Sequence, residues 1–133
     1  MKYLFALIGD EARYADRSPE ETQESMRAWD AFTTETQDAG AFVAGEGLQP
    51  SATATTVQIP EQRQDDPIVT DGPFAETKEQ LGGFYLLECS DLDEAISWAK
   101  KIPMFGGTVE IRPVMNYEEA GSEAHTNEAG AAA

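Results

Sequence analysis

The run Asp71-Gly72-Pro73-Phe74-Ala75-Glu76-Thr77-Lys78-Glu79 sets four ionisable side chains on and just after one stiff turn. Glycine at 72 permits backbone angles closed to other residues, while proline at 73 locks φ and removes a hydrogen-bond donor. An acid placed before such a pair is held rather than left to wander. Asp71 and Glu76 are therefore the candidate proton-transfer groups. Arg112, Lys78 and Glu79 are the candidate substrate-binding charges, and Tyr3 and Tyr85 the candidate pocket walls. A carboxylate beside a cation stays ionised and structural, whereas one pressed against an aromatic ring can act as acid or base.

Each candidate has a plainer reading. Asp before Gly-Pro commonly caps a turn by accepting backbone N–H bonds, and a capped acid is also a positioned one. The 76–79 charges read as an exposed turn with a local ion pair worth under about 1 kcal/mol. Their place directly before an apolar strand is what raises them above that. Arg112, between Ile111 and Pro113, either bridges Glu110 or Glu79 or clamps an anion with both arms of its guanidinium. For Tyr3 and Tyr85 the plain alternative is core packing.

Other chemistry finds little support. The sole histidine, His125, lies in a polar C-terminal stretch without an orienting partner, so no His-based triad or His-containing metal site is expected in the folded body. Cys89 is the only cysteine, which excludes an intrachain disulfide and a cysteine-based metal cluster, and it reads as a small buried hydrophobe. Asp65-Asp66 and Asp91-x-Asp93-Glu94 are better explained by loop solvation and helix N-terminal charge than by a hard cation. No phosphate-binding, dinucleotide-binding or nucleophile-elbow pattern occurs, so neither metal nor cofactor is expected.

Twenty-five acids against nine bases leave a formal charge of −16. Nucleic acid and anionic membranes are poor partners for such a surface, because both are bound by Lys and Arg. The acidity reads either as a device for solubility or as adaptation to a high-salt cytoplasm. The apolar start, Met1 to Ile8, is too short and too weakly basic for a signal peptide, so a cytoplasmic location is expected.

The elements that must position these residues follow from the apolar pattern. With 133 residues and 41% apolar content, the chain is one domain with one core. Tyr3 to Ile8 reads as a strand covered on both faces. Ser18-Pro19-Glu20-Glu21 combines an N-cap serine, a proline at the first helical position and a capping-box acid. The helix it opens reaches about Ala39 and stops at Gly40, with Thr22, Met26, Trp29, Phe32, Thr33 and Thr36 inward. Ala41 to Leu48 is a strand weakened or bulged by Gly45 and Gly47. Thr53 to Ile59 is a further strand, Pro60 to Pro67 a solvated turn, and Ile68-Val69-Thr70 a short extended piece delivering Asp71. Gly83 to Cys89 is a long apolar strand. A second helix opens at Ser90-Asp91 with Leu92, Ala95, Ile96, Ala99 and Ile102 on one face, and Thr108 to Val114 is the closing strand.

This order, β-α-β, an inserted β segment, then β-α-β, is an α+β, ferredoxin-like split β-α-β pattern with an antiparallel sheet and helices on one face. The other face carries too many apolar residues to stay wet, so a homodimer through the sheet is expected. Residues 1–117 form the domain, and 118–133 read as a mobile acidic and Ala/Gly-rich tail.

The N-terminal Lys-Tyr-Leu, the 71–79 run and Gly82-Gly83-Phe84-Tyr85-Leu86-Leu87 resemble the YCII-related (DGPF-type) family. The Asp91-to-Trp98 helix and Val109-Glu110-Ile111-Arg112-Pro113-Val114 share the resemblance. It implies a dimeric α+β barrel of ferredoxin-like protomers. In the wider superfamily it implies isomerase- or dehydrochlorinase-like enzymes, some using a His–Asp pair; this chain has no histidine in the body expected to fold, which leaves only Asp71 to carry over. The resemblance also implies accessories to extracytoplasmic-function sigma factors. The balance falls toward a small-molecule-binding or regulatory dimeric module. The alternative is an isomerase- or lyase-type enzyme acting on a small anionic or carbonyl compound, with Asp71 as base.

Overall fold

The computed structural model describes residues 1–118. Six strands and two helices follow one another as β1 (Lys2–Gly9), α1 (Pro19–Asp38), β2 (Phe42–Gly47), β3 (Thr55–Gln58), β4 (Ile68–Asp71), β5 (Gln80–Glu88), α2 (Leu92–Ala99) and β6 (Thr108–Pro113). Short 3-10 helices, Glu11–Tyr14 and Ser51–Thr53, follow β1 and β2. The main sheet is four-stranded and antiparallel throughout, in the order β2-β5-β1-β6. This is the split β-α-β arrangement, with β3 and β4 forming a separate two-stranded hairpin inserted between its halves.

The sheet alternates as its pleat requires. Tyr3, Phe5 and Leu7 of β1, with Tyr85 and Leu87 of β5, face the helices and are buried. Phe32 of α1 and Ala95 and Trp98 of α2 close over them, with Val109 and Ile111 of β6 packed at the side. Phe32 stands edge-on to both Tyr85 and Trp98, with ring centroids 5.1 and 6.1 Å apart. The opposite face of the sheet carries Leu4, Ala6, Ile8, Phe84 and Leu86, and neither α1 nor α2 covers it.

Several sequence expectations need correction here. On α1 the buried residues are Phe32 and Thr36, whereas Thr22 is exposed and Met26 is 60% exposed. The first two turns of α1 run past the edge of the core, so the period is right but its apolar stripe begins only at Trp29. On α2, Ala95 and Trp98 point inward and Leu92 is exposed. The polar stretch between β1 and α1 contains a 3-10 helix capped by the Asp10 carboxylate on the Ala12 N–H. The proposed tail starts at 118, and all of it beyond Glu118 lies outside the described residues.

Candidate functional site

A cleft of about 570 Å³ opens where β1 and β2 end and β5 begins, beneath the first half of α1. Leu7, Leu48, Trp29, Tyr85 and Met104 give it an apolar body. Trp29 and Tyr85 lie nearly parallel, at 9° with centroids 6.2 Å apart. The Tyr85 hydroxyl shares a hydrogen bond of 2.7 Å with the Thr33 hydroxyl, which fixes the ring as a wall.

Glycines make this concavity possible. A Cβ on Gly45 would come within 2.8 Å of the Tyr85 ring, so only glycine lets that ring lie across β2. A Cβ on Gly83 would meet the Glu46 carbonyl oxygen at 2.8 Å. The register also shifts between Leu7 and Ile8, leaving Gly82 as an extra residue on β5. Such bulges re-aim the chain beside sites. The glycine pair at 45 and 47, read from sequence as a weak strand feature, is thus part of the cleft wall.

One end of the cleft is polar. Glu11, from the 3-10 helix after β1, is half-buried there, and its carboxylate accepts from the Ser51 N–H at 2.6 Å and the Ser51 hydroxyl at 2.9 Å. The Glu11 N–H donates to Gln80 Oε1 at 3.1 Å, and Gln80 Nε2 donates to the Thr77 carbonyl at 2.5 Å. Ser51 and Gln80 stand at the two roots of the inserted hairpin segment. That insertion therefore grips Glu11 from both ends, its carboxylate through Ser51 and its backbone N–H through Gln80, and the 71–79 run takes part through the backbone of Thr77.

The residues singled out from sequence are otherwise dispersed. Asp71 ends β4 in the hairpin, is exposed, and lines neither this cleft nor the shallower hollow beside the hairpin. The expected cap by its carboxylate is replaced by other bonds: the Gly72 N–H donates to Ala54 O at 2.7 Å, and the Thr56 hydroxyl to Gly72 O at 2.7 Å. Gly72 does adopt the left-handed φ of 102° that its place in the turn demanded. Phe74 is 81% exposed, and Glu76, Lys78 and Glu79 are exposed too. Arg112 pairs with Glu110 at 2.7 Å on the uncovered face of the sheet, not with Glu79. Tyr3 is buried in the core, 4% exposed, and only Tyr85 of the named set lines the cleft. Among the described residues no cluster of His, Cys, Asp and Glu is arranged to hold a metal ion.

Sequence reasoning passed over Glu11, Gln80, Ser51 and Trp29 as site residues. Trp29 was read only as an inward helix residue, and the sole signal of Glu11, Ser51 and Gln80 was positional: a polar residue shortly after a strand or at the start of one, where a sheet's end opens into loops.

The YCII-related domain model matches residues 1–118, the whole of the described fold. The chain belongs to the YCII-related family. It is also 36% identical over 121 residues to an uncharacterised protein of Rhizobium meliloti (strain 1021), covering 89% of this chain and 95% of that one. No helix among the described residues is long and apolar enough to cross a membrane.

Proposed function

We propose that this YCII-related chain is a small-molecule-binding module that works as a homodimer, its ligand seated between Trp29 and the β2–β5 glycines. The observation that carries this reading is the cleft itself: concave, mostly apolar, with a few convergent polar groups at one end, and of a size that suits small ligands. The uncovered apolar face of the sheet supports the second copy, since monomers rarely leave such a patch to water. A cytoplasmic home suits the single buried Cys89. A regulatory partner such as an extracytoplasmic-function sigma factor belongs to the same reading, as the protein that would respond to ligand occupancy.

The enzymatic alternative, proton transfer by Asp71, draws no support from the position of that carboxylate, exposed and away from the cleft. The test is a thermal-shift screen of small molecules on the wild type and on Gly47→Leu. A Cβ at Gly47 would meet nothing within 4 Å, so the variant should fold while its side chain fills the cleft. Ligands of the cleft should raise the wild-type Tm and leave Gly47→Leu unmoved. Ligands that stabilise both proteins equally would place binding elsewhere and overturn the assignment.

A further inference from the structure

The cleft has a chemical preference that its shape alone does not express. Among the described residues no lysine, arginine or histidine lines it, and the carboxylate at its polar end is that of Glu11. Glu46 borders it on β2, but it pairs with Phe84 of the uncovered face, so the strand's alternation turns its carboxylate away from the cleft. The Glu11 carboxylate is oriented by Ser51 and its backbone by Gln80, so it is held still, and it forms no ion pair among the described residues. The ion pairs among the described residues involve Glu88, Glu35 and Glu110, none of which lines the cleft. The nearby arginines are turned to other tasks. Arg17 lies over the Tyr14 ring, 4.7 Å from its centroid, and Arg13 lies against Gly106.

Resting on the small-molecule reading above, we propose that the cleft takes a protonated organic amine with a flat apolar body, the ammonium set against Glu11 and the body along Trp29 and Tyr85. A fixed carboxylate that already accepts two hydrogen bonds has lone pairs left for a charge-assisted donor, and such bonds are the strong ones. Aromatic walls attract a cation through their ring faces while also packing an apolar body. An anionic head would meet Glu11 and the field of a chain with charge −16, with no cation among the described residues lining the cleft to receive it. This reverses the charge of ligand that Arg112 and Lys78 suggested in the sequence, because both stand outside the cleft.

Three probes with one body and different heads decide the matter: 2-phenylethylamine, 2-phenylethanol and 3-phenylpropanoate. Binding is read from the indole N–H resonances of the two tryptophans. Trp29 lines the cleft, whereas Trp98 is bonded to Glu94 at 3.3 Å and serves as internal control. The amine should shift the Trp29 resonance with a Kd on the order of a millimolar, as befits so small a ligand. It should bind about tenfold tighter than the alcohol, and the carboxylate should be weakest. Glu11→Gln keeps an oxygen for the Ser51 N–H, so the fold should survive. It should reduce amine affinity about fivefold or more and leave the alcohol nearly unchanged. Equal binding of amine and alcohol, tighter binding of the carboxylate, or an amine affinity indifferent to Glu11→Gln would overturn the amine proposal. In those cases the cleft reading would still stand if Gly47→Leu abolished the shifts. If no probe moves Trp29, or if Gly47→Leu leaves binding intact, both fall.

Discussion

Gly83 shows how one missing side chain shapes the site. It lies on β5, between β2 and β1, where a Cβ would stand 2.8 Å from the Glu46 carbonyl oxygen and 3.3 Å from Gly47 Cα. Both obstacles are backbone of a paired strand, which cannot swing aside as a side-chain tip can. Gly83→Ala should therefore destabilise the fold by about 1–3 kcal/mol, the usual range for forced overpacking. Gly47→Ala, with open space around its Cβ, should be neutral or stabilise by up to about 1 kcal/mol through a less flexible unfolded chain. Urea unfolding of the two variants reads the contrast directly. Cys89 gives a second prediction at this scale. Burial, followed by the negative charges of Glu94 and Glu88, pushes its thiol up to about 11 from an ordinary value of 9.0. Thiolate is the reacting species. The native protein at pH 8 should react with a disulfide reagent about a hundredfold more slowly than the urea-unfolded chain. Equal rates would mean that Cys89 is not shielded in solution.

At the scale of elements, both helices begin with a side-chain cap and a glutamate reaching back, to the N-cap itself in α1 and to the residue before it in α2. Ser18 Oγ accepts from the Glu21 N–H at 3.1 Å and Glu21 returns the bond to the Ser18 N–H at 3.2 Å. In α2 the Asp91 carboxylate accepts from the Glu94 N–H at 2.9 Å, while Glu94 accepts from the Ser90 N–H and hydroxyl at 2.8 Å each. Ser18→Ala should cost about 1 kcal/mol, as loss of an N-cap usually does. The bonds from Ser18 hold the Glu21 carboxyl below its ordinary value, the backbone N–H contributing most, and those from Ser90 do the same for Glu94. A depressed carboxyl favours the folded state fully above its unfolded value of 4.5 and loses that contribution as pH falls through the folded value. Glu21→Gln and Glu94→Gln should thus be less stable than wild type at pH 6, with the gap narrowing as pH falls below 4.5. A gap that stays constant with pH would remove the ionised carboxylates from the account.

The capping box is also why α1 was legible in the sequence: Ser18, Pro19 and Glu21 state a helix start in local terms, and Gly40 states its end with a φ of 73°. The apolar runs of β1 and β5 were equally plain. Element order then determined the antiparallel sheet without further help. The candidate site was not legible in that way. Local turn chemistry drew attention to Asp71, whose backbone setting is indeed special, yet a stiff turn says nothing about where a side chain faces. Glu11, Gln80 and Ser51 meet only because two strand ends and an insertion converge, at sequence separations of 69 and 40 residues. No local pattern encodes such a meeting.

At the scale of the whole molecule, surface charge and the uncovered sheet act against each other. The chain carries −16, and two copies brought together double the charge in one body. Yet the face with Leu4, Ala6, Ile8, Phe84 and Leu86 offers an apolar centre whose burial favours association at roughly 25 cal/mol for each Å² removed from water. The repulsion is long-ranged and screened over about 8 Å at physiological ionic strength and about 3 Å at 1 M salt, whereas apolar burial is not weakened by screening. Dimer affinity should therefore rise with salt, the reverse of an interface built on ion pairs. Light scattering at increasing NaCl should show the mass moving from the 14.5 kDa of one chain toward twice that value. Leu86→Asp, which sets a charge at the centre of the uncovered face, should keep the far-ultraviolet dichroism of the fold and stay monomeric at every salt concentration. Arg112→Ala, which only frees Glu110 of its exposed partner, should shift the dimer constant by less than about fivefold, because exposed ion pairs contribute little. A wild-type chain that scatters as a monomer even at 1 M salt would show that the sheet tolerates water on its apolar side, and the twin-subunit architecture would have to be given up.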